Sequence, residues 1–211
     1  MNKYAQGGFI IALFGVALGG FFLLRNSVPD SSLEEQVENP ISHINDNSAL
    51  SQEYASSTQG FSLHYPMGYV VDDTYHYQNL GPGKDISGVK FTIPERMATG
   101  TNLSDDTYLS VEQIPQTQQC TAEIFLDQAR AQTITDGDMT YSVASSTGAA
   151  AGNRYEETVY ALPGRNHCIA VRYFIHYGVI ENYPAGLVRE FDKEALLKEF
   201  DTIRRTLKVL Q

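Results

Sequence analysis

His64, His76, His167 and His176, the cysteines Cys120 and Cys168, and a scatter of Ser, Asp and Glu are the groups in this chain that could do chemistry. Imidazole is the commonest protein ligand for a metal, but it works in sets, and none of these histidines stands at HxxxH or HExxH spacing. No serine sits in a GxSxG elbow, so a Ser-His-Asp hydrolase has no support from spacing. Gly81-Pro82-Gly83-Lys84 lacks the spacing of a phosphate-binding loop and reads as a turn, and Asp136-Gly137-Asp138 lacks the further ligands of a calcium loop. No catalytic, metal or cofactor residue is therefore assigned. The expectation is a non-enzymatic module that binds a protein or small ligand. Its alternative is an envelope hydrolase or metal-dependent enzyme whose site forms only in three dimensions.

The expected contact surface joins the loop residues Tyr75, His76 and Tyr77 to Arg172, Phe174 and His176, which alternate along one face of a strand. Tyr and Arg are the side chains that most often dominate interface energies. The competing reading is that this face is covered by a helix, which would bury Phe174 and pair Arg172 with Glu157. For Cys120 and Cys168 a structural disulfide is the first choice, since the count is even and the compartment is expected to be oxidising. Two buried thiols, or a two-cysteine metal site without CxxC spacing, are the alternatives. Asn102-Leu103-Ser104 matches a glycosylation acceptor, which matters only in a eukaryotic secretory pathway.

The elements that must hold these residues centre on 153–177. Two β-branched and aromatic runs there, 154–161 and 168–176, are separated by Pro163-Gly164-Arg165-Asn166, which reads as a hairpin with a four-residue loop. Placing Leu162 opposite His167 puts Glu157 across from Arg172 and Tyr155 across from Phe174. Ile169, Val171, Tyr173 and Ile175 form the apolar face. Asp192 caps a helix with Phe191 before it as a staple, and Leu196, Phe200, Ile203 and Leu207 repeat along it to cover that face. Upstream, 61–65 reads as a strand ended by Pro66, and a second strand falls within 68–77. Strands follow around Val89 and Phe91, around Leu109 and Val111, and around Tyr141 and Val143. Thr121 is expected to cap a helix to about Arg130, with Ile124, Phe125, Gln128 and Ala129 on one face. The sum is an α+β fold: a mainly antiparallel sheet packed with helices as an α/β/α sandwich.

Residues 1–25 read as an anchor. Between Ala5 and Leu24 the only polar side chain is Gln6, and a helix of that length, at ~1.5 Å per residue, crosses a bilayer. Lys3 precedes the run and Arg25 closes it, and no Lys or Arg follows until Lys84. The positive-inside rule then puts the amino terminus in the cytoplasm and residues 61–211 outside it, periplasmic or extracellular. The rival is a cleaved signal peptide cut after Ala17-Leu18-Gly19. Gly15 and Gly19 form a GxxxG that allows weak dimerisation in the membrane. Residues 26–60, rich in Ser, Asn, Gln and Glu, read as a flexible acidic tether. The net charge of −10 opposes nucleic acid and anionic lipid headgroups as partners, leaving the membrane through the anchor and an envelope protein or small ligand.

The opening Phe61-Ser62-Leu63-His64-Tyr65-Pro66-Met67-Gly68-Tyr69 resembles the entry of PsbP-like domains, and Phe200-Asp201-Thr202-Ile203-Arg204-Arg205-Thr206-Leu207 is similar to their final helix. The resemblance spans about residues 60–208 and implies their fold. Bacterial relatives are mostly uncharacterised envelope proteins. The matching positions are core residues of strands and a helix, so the resemblance implies no site residue. The anchor and acidic tether depart from the photosynthetic members.

Overall fold

The computed structural model describes residues 49–115, 117, 119–127, 129–162 and 167–210. The expected membrane span 5–24, with Gly15 and Gly19, most of the tether, and the hairpin loop 163–166 lie outside them. Among the described residues no helix is long and apolar enough to cross a membrane. Eleven strands are described: β1 (Gln52–Ser56), β2 (Phe61–Tyr65), β3 (Val70–Asp72), β4 (His76–Tyr77), β5 (Ile86–Thr92), β6 (Tyr108–Pro115), β7 (Gln132–Asp136), β8 (Met139–Ala150), β9 (Asn153–Ala161), β10 (His167–Gly178) and β11 (Lys208–Val209). The main sheet runs β3-β5-β6-β10-β9-β8-β7, with β4 beside β5, and all its ladders are antiparallel. A second sheet has the order β1-β2-β11. Two α-helices are described, α1 (Glu95–Ala98) and α2 (Lys193–Arg204). The protein is thus a mainly antiparallel β-structure with few helices.

Alternation decides which way each strand faces. On one face of the main sheet Val89, Phe91, Leu109, Val111, Ile169, Val171, Tyr173 and Ile175 merge into a core with Phe61 and Leu63 of β2 and Leu196, Phe200 and Ile203 of α2. Asp192 caps α2 by accepting from the Ala195 N–H at 2.9 Å, and Phe191 packs against the same core as Leu196, as the staple predicts. Arg204 is buried under α2. Its guanidinium lies 4.2 Å from the Tyr160 ring centroid and 4.7 Å from that of Tyr141, and it donates to Tyr173 Oη, Asp136 and Asp201. That ties the helix to the β7–β8 turn.

The hairpin register differs from expectation. Ala161 pairs with Ala170, so Glu157 stands opposite Phe174 and Tyr155 opposite His176, a shift of two residues. An even shift leaves every side chain on its expected face. The cause lies on the other side of β10: His167, Cys168 and Ile169 are paired to Pro115, Ile114 and Gln113 of β6, and Cys168 is bonded to Cys120. The strand start is committed there, and β9 joins only from Leu162, whose N–H donates to the Ile169 carbonyl at 3.0 Å.

Two further expectations are corrected. The tether does not extend unpaired to residue 60, because β1 lies within it, paired to β2 from Gln52↔Tyr65 to Ser56↔Phe61. The helix expected from Thr121 to Arg130 is a single 3-10 turn, Ala122–Ile124. Thr121 makes no side-chain cap, the Ala122 N–H is taken by Ser142 Oγ at 3.0 Å, and the Phe125 carbonyl is taken by Arg172 at 2.7 Å. The Phe125 carbonyl, which a continuing helix would offer to the Ala129 N–H, is thus engaged by the sheet. The second helical layer of the expected α/β/α sandwich is, among the described residues, a loop layer. Part of the expected helix's downstream stretch is β7, which returns through a tight turn at Gly137 (φ 60°) into β8.

Candidate functional site

The face of the main sheet turned away from α2 holds every residue of the expected contact surface except His76. It divides into two halves. Under the loop layer, Cys120, Ala122, Phe125 and Leu126 cover Ala144, Val159, Ala161, Cys168 and Ala170. The cysteines are bonded, with Cα atoms 5.1 Å apart, well within the range a disulfide spans. The bond fastens the start of the loop layer to β10.

Arg172 ends this covered half and is fully buried, which removes it from the expected contact surface. The register places it diagonally between Glu112 of β6 and Glu157 of β9. Its Nε and Nη2 donate to the two oxygens of Glu112 at 2.8 and 2.9 Å, Nη2 also to the Phe125 carbonyl, and Nη1 to Glu157 Oε2. Ser110 Oγ donates to Glu112 Oε1 at 2.8 Å, and the guanidinium carbon sits over the Tyr77 ring, 3.5 Å from its centroid, with the Tyr77 hydroxyl donating to Glu157. Gly88 makes room for Glu112: a Cβ there would stand 2.5 Å from the Val111 carbonyl oxygen and 3.1 Å from Glu112 Cγ. Burial works against the Arg172 charge, but the charge and hydrogen bonds of Glu112, then Tyr77 and Glu157, outweigh it and hold the guanidinium firmly protonated. Pairing of Arg172 with Glu157 was the competing reading. The cover is a loop instead of a helix, and Tyr77, also buried, is a core residue too.

Beyond Arg172 the face opens. Tyr75, just before β4, stands beside Tyr108, Phe174, Tyr155 and His176, which line up across β6, β10 and β9. The ring centroids are 5.6 Å apart for Tyr75–Tyr108, 4.8 Å for Tyr108–Phe174, 6.2 Å for Phe174–Tyr155 and 4.5 Å for Tyr155–His176. Tyr108–Phe174 and Tyr155–His176 are near-parallel, at 18° and 20°, so these rings spend their π faces on each other. Tyr75, Phe174, Tyr155 and His176 are half-buried, where rings under a core would be sealed. Lys90 lies 5.5 Å from the Tyr75 centroid at one end, and at the other Asp106 Oδ1 lies 2.7 Å from His176 Nδ1, the carboxylate oxygen accepting from the ring N–H. His76 is exposed at the sheet margin with Ser87 and stands apart from this row. The buried Tyr108 and the half-buried Tyr155 were missed as members of the row. Their positions opposite Phe174 and His176 emerge only from the true register.

A cleft of about 340 Å³ adjoins the His176 end, lined by Glu95, Asn102, Ser104, Asp105, Asn153 and Tyr183 among others. Its lining brings the Thr99, Ser104 and Tyr183 hydroxyls near the Glu95 and Asp105 carboxylates and includes no described histidine, cysteine or lysine. Asn102 cannot be an acceptor for glycan in the folded chain. It is buried, donating to the Gly178 carbonyl and accepting from the Phe191 N–H. Among the described residues no group of three or more His, Cys, Asp or Glu is placed to hold a metal ion.

Burial raises the phenol pKa of Tyr69, Tyr75, Tyr77, Tyr108, Tyr160, Tyr173 and Tyr177. A group raised in the folded state contributes stability that is complete below its unfolded pKa, ~10 for Tyr, and lost as pH rises beyond it. Phenolate absorbance at 295 nm is expected to rise in two stages, the second steep and coincident with unfolding monitored by circular dichroism. A single smooth titration with the fold intact would show the rings to be open to water.

No family model matches this chain, and no curated protein matches it. Among solved structures, one from Bacteroides thetaiotaomicron VPI-5482 is 13% identical with a TM-score of 0.46, covering 77% of this chain and 49% of its own. The chain thus spans about half the length of that protein. The Saccharomyces cerevisiae Ran-binding protein Mog1p is 10% identical with a TM-score of 0.44, covering 76% of this chain and 95% of its own. Likenesses of this degree assign neither a family nor a function.

Proposed function

We propose that this chain is a membrane-tethered module of the cell envelope, of PsbP-like type, that holds its folded domain outside the cytoplasm and binds an envelope protein or small ligand without covalent chemistry. The observation that carries the reading is the row of rings from Tyr75 to His176, half-buried except for the buried Tyr108, left open where the loop layer stops. Aromatic side chains with a polar atom at the tip bury large area at small entropic cost, and they are enriched in interface cores. The apolar run at residues 5–24, the cationic residues on either side of it and the paired cysteines fit a domain displayed in an oxidising compartment.

The test is a photo-crosslinking residue, p-benzoylphenylalanine, placed at Tyr155 in the full chain and irradiated in intact cells. The same residue at Lys198, on the outer side of α2, is the control. The expected result is a discrete adduct from position 155 that is absent from position 198. Adducts of equal yield from both positions, or none from 155, would overturn the reading.

A further inference from the structure

The main sheet leaves one long edge open. β8 has 12 residues, but β7 pairs only with Met139 to Val143, so β8 from Ala144 onward has no described strand beside it on that side. Residues 144–150 keep an unbroken register with β9, from Ala144↔Val159 to Ala150↔Asn153. Both turns at the ends of β8 are two-residue turns. Asp136↔Met139 closes one and Ala150↔Asn153 the other, the latter through Ala151 (φ 49°) and Gly152 (φ 82°) in the type I′ manner. The residues flanking a two-residue turn exchange both hydrogen bonds, so odd-numbered residues of β8 face β7 and even-numbered ones face β9. The N–H and C=O groups of Ser145, Thr147 and Ala149 therefore point out of the open edge.

We infer that this edge pairs with the same edge of a second copy, in an antiparallel two-fold arrangement that joins two main sheets into one. Charge favours this edge over the others. In a chain of net charge −10, a contact between copies is favoured where like charges do not meet, and β1 carries Glu53, β3 Asp72, β7 Asp136 and β11 Lys208. The open stretch of β8 reads Ala-Ser-Ser-Thr-Gly-Ala-Ala and holds no ionisable side chain. It also lacks the lysine, proline or bulge with which edge strands are usually guarded. Sterics set the register. A two-fold axis through Thr147 would bring Ala150 of one copy opposite Ala144, one ~3.3 Å step from Gln132 of β7, which sits opposite Val143. Passing the axis through Gly148 frees that space. Thr147 of each copy then exchanges hydrogen bonds with Ala149 of the other, and Ser146 lies opposite Ala150. Such a contact is isologous and closes at two copies, so it uses up the exposed edge in both.

The test uses the full chain with Gly148→Cys. A Cβ there meets nothing closer than Tyr155 Cβ at 3.8 Å, and with Cys120 and Cys168 bonded to each other the new thiol is the one free cysteine. Across the axis the two Gly148 positions form a non-hydrogen-bonded pair with Cα atoms ~4.5 Å apart, within disulfide reach. Under mild oxidation the variant is expected to give a covalent dimer in at least tenfold higher yield than Thr133→Cys on β7. Adding Thr147→Lys and Ala149→Lys, which sets lysines against lysines at exposed positions, is expected to abolish it while leaving circular dichroism unchanged. Equal yields from the two cysteine positions, no dimer from Gly148→Cys, or a yield indifferent to the lysine pair would each overturn the proposal.

Discussion

Arg172→Met is expected to destabilise the domain by about 3–5 kcal/mol, because it leaves the fully buried Glu112 and the mostly buried Glu157 with no counter-charge. Against a total stability of ~5–15 kcal/mol, that lowers the Tm by on the order of 10 °C or more. The magnitude comes from the carboxylates left behind, more than from the lost pair. Neutralising them should therefore reverse most of it. Adding Glu112→Gln and Glu157→Gln to Arg172→Met is expected to recover at least half of the lost Tm in calorimetry. A drop of only a degree or two in the single variant would mean that water reaches Glu112 and that the site is an open charged surface.

Replacing Cys120 and Cys168 together by Ala is the second large effect. The bond closes a loop with a sequence separation of 48 and, in the chain-entropy account, contributes ~4 kcal/mol. The expected Tm loss is on the order of 10 °C. Because the loop layer over Arg172 is fastened by this bond and by the Phe125 carbonyl, hydrogen exchange should quicken across residues 119–127 and in the neighbouring β10, and not in α2. Uniform quickening across α2 as well would show that the loop layer and the core open as one unit.

Much of the architecture could be read from residue types alone. The alternation Ile169, Val171, Tyr173, Ile175 and the 3.6-residue repeat Leu196, Phe200, Ile203 are set by period, and period survives tertiary context. The Asp192 cap and the strand at Phe61–Tyr65 are likewise local. What failed was non-local. The 121–130 segment has helical spacing, but Arg172, on a distant strand, takes the Phe125 carbonyl that a further helical turn would use. The expected hairpin register followed from a four-residue loop with Leu162 opposite His167, while β6 and the disulfide fix where β10 begins. β1 and β7 are short and polar, with little apolar content to betray them.

The candidate site was half legible. Phe174 and His176 were placed on a partly open face because alternation along β10 assigns them to it, and Tyr75 as a residue of the loop beside it. Arg172 was misplaced because nothing in its own neighbourhood announces Glu112, which arrives from β6, sixty residues away in the chain. An arginine flanked by alternating apolar residues on a central strand is as compatible with a buried ion pair as with a contact surface, and only the partner strand decides.

Hydroxyl-radical footprinting of the full chain, in its native membrane and after purification, tests most directly whether the open aromatic row is a contact surface. The account predicts that Tyr155, Phe174 and Tyr75 are oxidised several-fold more slowly in the membrane than in the purified chain, while Leu197 and Leu210, away from that face, react equally in both. Equal oxidation of the aromatic row in the two preparations would contradict it.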